Sequence, residues 1–84
     1  MGGPVKRSMM IAGHATSISL EPAFWRALRE AAEAEGVPVN ALVARIDAAR
    51  IEGARTEGPG PANLASAIRV WLFERLRASA GGAG

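Results

Sequence analysis

The chemistry open to this chain is bounded first by what it lacks. His14 is its single histidine, and it has no cysteine. A metal site would therefore have to be built from several carboxylates around His14, and none cluster there. As a catalytic base, His14 would need an orienting carboxylate and a nucleophile within reach, and neither is marked by any motif. The alternation Gly58-Pro59-Gly60-Pro61 is no phosphate cradle, because proline has no N–H to lend an anion. We expect no catalytic residue, no metal, no cofactor and no enzymatic activity. What remains is chemistry of contact: the hydroxyls of Thr16, Ser17 and Ser19, and the cations Lys6 and Arg7 upstream of them. Hydroxyls beside an acid-free basic segment suit a phosphate-lined partner. His14 is expected at the end of this polar stretch, as a polar strand-end residue or a phosphate contact.

These residues need a scaffold, and the pattern around them supplies one. From Thr16 onward, Ile18 and Leu20 alternate with Ser17 and Ser19, the period-two signature of a half-buried strand. Met9 to Ala12 either extends that strand or folds back through Gly13-His14 as a short hairpin, for which Gly13 suits a type II′ turn. Glu21-Pro22 ends the strand and opens a helix, proline being tolerated where the N–H would be orphaned anyway. Phe24, Leu28, Ala31 and Ala32 fall on one face of it, Trp25 lies at the flank, and Gly36 is the stop. A second helix is expected over 39–51, with Leu42, Val43, Ile46 and Ala49 as its stripe and Asn40 capping its first turn. After the Gly/Pro stretch, Asn63 caps a third helix in which Leu64, Ile68, Trp71, Leu72 and Leu76 form a stripe that Val70 and Phe73 widen. A helix apolar on more than one side expects two contact surfaces.

If residues 14–20 are the single strand, their backbone groups lack partners within the chain. The simplest remedy is the same strand of a second copy, paired antiparallel about a two-fold axis. Size argues the same way. In 84 residues with 5% aromatic content, one copy has little to bury, and oligomerisation is a usual compensation. The expected dimer core is Ile18, Leu20, Phe24, Trp25, Leu28, Leu42, Val43, Ile46, Leu64, Ile68, Trp71 and Leu72. The net charge of +2 is unevenly spread. Residues 1–20 hold Lys6 and Arg7 and no acid, whereas residues 21–35 set Arg26 and Arg29 against Glu21, Glu30, Glu33 and Glu35. Met9 to Ala12 is too short an apolar run for a secretory core or a membrane span, so a soluble, cytoplasmic protein without a membrane partner is expected.

A polar-faced strand running straight into two helices, TSISLEPAFWRAL with the turn at Gly36, resembles the ribbon-helix-helix family of DNA-binding repressors. KRSMMIAGHATSISLE and NLASAIRVWLFERL look like the subgroup that adds a C-terminal helix. The resemblance implies a mainly α fold with one short strand: an intertwined dimer with an intermolecular two-stranded antiparallel ribbon and a third helix. In these terms residues 1–13 form a flexible basic arm, 14–53 the ribbon-helix-helix domain, 54–62 a hinge, and 63–79 the C-terminal helix packed on the dimer. The family's ribbon enters the DNA major groove, which implies base contacts from Ala15, Ser17 and Ser19. It implies phosphate contacts from the helix start at Val39, Asn40 and Ala41, with Lys6, Arg7 and His14 adding to the backbone attraction. Two departures stand out. Ala15 occupies a reading position where the family has a basic side chain, and Pro38 replaces a capping Ser or Thr and removes one N–H.

The function implied is a sequence-specific double-stranded DNA-binding transcriptional regulator, a repressor working as a homodimer. The alternative is a dimeric protein-interaction module, antitoxin-like or an adaptor, in which the C-terminal helix binds a partner protein.

Overall fold

A computed structural model of the chain describes residues 3–57 and 63–82. Two strands come first, β1 (Val5–Ile11) and β2 (His14–Leu20), followed by α1 (Pro22–Glu35), α2 (Val39–Glu57) and α3 (Leu64–Gly82). β1 and β2 pair antiparallel from Val5↔Leu20 to Ile11↔His14, so the ribbon is closed within one chain. This corrects the expectation of a single strand completed by a second copy. It equally corrects the reading of residues 1–13 as a flexible arm, since 5–11 are a strand.

The reason lies in the turn. Its central residues are Ala12 (φ 51) and Gly13 (φ 85), both left-handed. Positive φ at both positions is the type I′ pattern, whose twist matches that of the strands it joins. The turn therefore sits one residue earlier than Gly13-His14 and is of the other primed type. Glycine meets this geometry without strain, whereas alanine at such a φ costs about 1–2 kcal/mol.

The helices cover one face of the hairpin, α2 against β1 and both α1 and α3 against β2. The core is continuous: Ile11, Ile18 and Leu20 from the ribbon, Trp25 and Leu28 from α1, Leu42, Val43 and Ile46 from α2, Ala67, Ile68 and Leu72 from α3. Leu20, Leu28, Leu42, Val43 and Ile68 are fully excluded from solvent. Phe24, Leu64 and Trp71 pack against this core half-buried. The places of Phe24 and Trp25 are thus exchanged relative to the helical stripe. Trp25 can be buried because its indole N–H donates to the Val5 carbonyl at 2.8 Å, satisfying the one polar group a buried tryptophan carries. Ala49, assigned to the α2 stripe, is exposed.

Helix ends follow local chemistry. The Glu21 carbonyl accepts from Phe24 and Trp25 at the start of α1. At its end Gly36 turns left-handed (φ 73), its N–H donating to Glu33 and the Val37 N–H to Ala32. That pair of bonds is a Schellman motif. α2 begins on the Pro38 carbonyl, which accepts from Ala41 and Leu42. It continues past Ile51 to Glu57, so residues 54–57 of the expected hinge are helical, and 58–62 lie outside the described residues. α3 is capped by Asn63, whose Oδ1 accepts the Ser66 N–H at 2.8 Å, and it runs to Gly82 rather than stopping at 79.

Ala12→Asn is expected to raise stability by about 1 kcal/mol, because asparagine tolerates the left-handed conformation and Asn-Gly is the preferred type I′ pair. The midpoint of urea unfolding reads this directly.

Candidate nucleic-acid interface

Pairing in this register sorts side chains onto two faces. Val5, Arg7, Met9, Ile11, His14, Thr16, Ile18 and Leu20 share the face toward the helices, while Lys6↔Ser19, Ser8↔Ser17 and Met10↔Ala15 make up the other. Of those outer six, five are exposed and Ser19 is half-exposed, and none is acidic. Across the middle of the ribbon the Ser8 and Ser17 hydroxyl oxygens stand 3.3 Å apart. Met10 leaves 56% of its surface in solvent beside Ala15. The result is a ribbon face with one cation at the open end, hydroxyls at the centre and an apolar patch near the turn.

Ala15, Ser17 and Ser19 thus lie together on the outer face, and the side chains opposite them come from the same chain. Ser8 and Met10 were missed as candidates because only β2 shows strict alternation; β1 reads Val-Lys-Arg-Ser-Met-Met-Ile, where an apolar pair masks the period. Lys6 and Arg7, grouped in sequence, are on opposite faces. Lys6 stands on the outer face opposite Ser19, while the Arg7 guanidinium lies over the Trp25 ring, 5.4 Å from its centroid. His14 is exposed beside the turn, where its carbonyl accepts the Thr16 hydroxyl at 3.5 Å.

Three contacts hold the ribbon against the helices. Trp25 grips Val5 at the open end, as above. Near the turn the Asn40 side-chain amide donates to the Met10 carbonyl at 3.4 Å. Asn40 is therefore a link between α2 and β1 rather than the acceptor-type cap expected of it. Between them the core residues Ile11, Ile18 and Leu20 anchor the inner face. At the α2 start the Ala41 N–H is taken by Pro38, while among the described residues the N–H groups of Val39 and Asn40 have no acceptor. These two point outward from a helix start close to the hairpin, and such N–H groups suit an anion.

α3 is clamped to the frame by charge as well as packing. Arg69 makes two bonds to Glu21 Oε1, at 2.9 and 3.0 Å, and stacks over Phe24. Arg75 reaches Glu35 at 3.0 Å, and Arg45 of α2 reaches the same carboxylate at 3.3 Å. Glu35 thereby joins three helices. Its carboxyl is held below the usual range by the hydrogen bonds from Arg75 and then Arg45. Glu21 is lowered by a backbone hydrogen bond first and by Arg69 second.

The chain matches the ribbon-helix-helix domain family over residues 4–76. A polar two-stranded ribbon backed by helices defines that class, and this protein belongs to the ribbon-helix-helix family. Domains of this kind are in general DNA-binding regulators and typically form dimers. Among solved structures the chain is similar to an uncharacterized protein from Bordetella pertussis Tohama I, with 33% identity and a TM-score of 0.72. The alignment covers 94% of this chain and 60% of that one, so the chain spans well under the full length of that relative. No curated protein matches it. Among the described residues, no helix is long and apolar enough to cross a membrane.

Both glutamates are lowered in the folded state, so the unfolded chain takes up protons first as the solution is acidified. Their contribution is complete above the ordinary glutamate range and drains away as pH falls through the lowered folded values. We expect the urea midpoint to decline as the pH falls below about 5, and the decline to be shallower in the Glu21→Gln, Glu35→Gln double variant.

Proposed function

We propose that this protein is a sequence-specific double-stranded DNA-binding transcriptional regulator, a cytoplasmic repressor, that lays the outer face of its hairpin in the major groove. It acts by binding, without catalysis or a cofactor. The observation that carries this reading is the outer face itself: Lys6, Ser8, Met10, Ala15, Ser17 and Ser19 on one exposed, carboxylate-free ribbon. A major groove admits a two-stranded ribbon and distinguishes all four base pairs there.

Each residue has a chemical part. Lys6 can donate to guanine O6 and N7 or to a phosphate, serines can donate to or accept from base edges, and Met10 with Ala15 offers apolar contact to a thymine methyl. Val39 and Asn40 N–H groups would fix the register on a phosphate without reading sequence. Lys6, opposite Ser19 at the open end, is the one basic side chain of the outer face, and Ala15 near the turn adds none. Serines discriminate weakly, so a large share of the affinity is electrostatic.

A second reading, a protein-interaction module of the antitoxin or adaptor type, is favoured by one feature, the exposed apolar residues of α3. It is compatible with the first, since α3 packs on the helical side of the ribbon.

Binding to duplex DNA over a salt series tests the proposal. Lys6→Ala should reduce the slope of log K against log salt by about 1, whereas Ser8→Ala with Ser17→Ala should relax sequence preference and leave the slope in place. Absence of duplex binding by the unaltered chain at low salt would overturn it.

A further inference from the structure

The outer ribbon face carries a side chain open to covalent change. The chain has no cysteine, so its thioethers are the groups a mild oxidant meets first. Two of them adjoin in β1, and the register sends them to opposite sides. Met9, paired with Thr16, faces the helices and packs half-buried against the core. Met10, paired with Ala15, faces outward with 56% of its surface in solvent. Among the described residues it is the only exposed methionine. Ala15 opposite is too short a side chain to cover it.

The Met10 side chain also takes no part in the fold. It lies outside the core, and the Asn40 amide holds its backbone carbonyl, not its sulfur. An oxygen added at this sulfur therefore displaces nothing that packs, whereas the same change at Met9 would strike the contact between β1 and the helices. Oxidation at position 10 alters the surface and spares the structure behind it.

We propose that the Met10 thioether is a reversible oxidation site through which a peroxide weakens the ribbon's hold on DNA, an effect that rests on the DNA-binding reading. The sulfur lone pair attacks one peroxide oxygen, an S–O bond forms as the O–O bond breaks, and proton transfer releases water. Sulfur loses two electrons and the peroxide gains them, leaving a polar, chiral sulfoxide. Where the thioether would meet a thymine methyl, the sulfoxide sets an acceptor oxygen with no proton to give. The base-edge acceptors and phosphate oxygens around it then repel it. Ser17 lies diagonally across the ribbon and Ser8 two residues back on the same face. Their hydroxyls can donate to the new oxygen and are then lost to the bases. Methionine sulfoxide reductases, one for each epimer, return the thioether.

The full chain treated with hydrogen peroxide, mapped by mass spectrometry and titrated with duplex DNA before and after, tests both halves. Met10 should oxidise about tenfold faster than Met9, with the circular dichroism unchanged. Affinity for DNA should fall roughly fivefold and return after treatment with the two reductases. Met10→Leu, whatever its starting affinity, should lose none of it to peroxide. Equal oxidation of Met9 and Met10 would overturn the proposal. So would an oxidised chain that binds as tightly as before, or a Met10→Leu chain that still weakens under peroxide. If the reduced chain binds no duplex at low salt, the DNA-binding reading falls and the switch with it, while the mapping still decides whether Met10 is the oxidation site.

Discussion

The pairing of β1 with β2 is the constraint on which the rest of this molecule depends. A lone strand would leave its backbone groups without partners and bind the fold of one chain to the presence of another. Here the Ala12-Gly13 turn returns the chain on itself and the register Arg7↔Ile18, Met9↔Thr16 closes the ribbon locally. Everything downstream uses that closure. Ile11, Ile18 and Leu20 can enter the core only because the register puts them on one face, and Trp25 can be buried only because β1 brings the Val5 carbonyl to its indole.

The same closure gives the molecule two distinct sides. The outer ribbon face is free of acids, and its six side chains are supplied by one chain. The three helices form a layer behind it, fastened by apolar packing and by arginine–glutamate pairs that converge on Glu21 and Glu35. Exposed ion pairs of this kind add little to stability, and their effect here is one of orientation. Arg69 and Arg75 fix how α3 lies, and thereby which of its apolar residues are buried and which form the outward ridge. A helix apolar on two sides is thus divided cleanly: Ile68 and Leu72 inward, Phe73 and Leu76 outward.

Much of this was legible in the sequence wherever a residue type left little choice. Alternation from Thr16 to Leu20 marked β2 and its outward serines, Pro22 and Gly36 bracketed α1, and Asn63 capped α3. The first strand was harder to read, because Met9 and Met10 adjoin and break the period. Its turn was harder still, since alanine at a left-handed position carries no local signal. With β1 unseen, pairing to another copy followed by logic from an incomplete inventory. The exchange of Phe24 for Trp25 has the same origin: helical spacing cannot anticipate a hydrogen-bond acceptor delivered by a strand not yet placed. α2 ran on through Gly53 because a single glycine costs a helix only about 1 kcal/mol, too little to end it without a following stop.

The central claim is that the working ribbon is made within one chain, and isotope-filtered NMR on a mixture of labelled and unlabelled protein tests it most directly. Cross-strand contacts between Arg7 and Ile18, and between Ser8 and Ser17, should arise only between protons of the same chain, at every protein concentration. The same contacts appearing between a labelled and an unlabelled chain would show a ribbon shared by two copies and contradict the account.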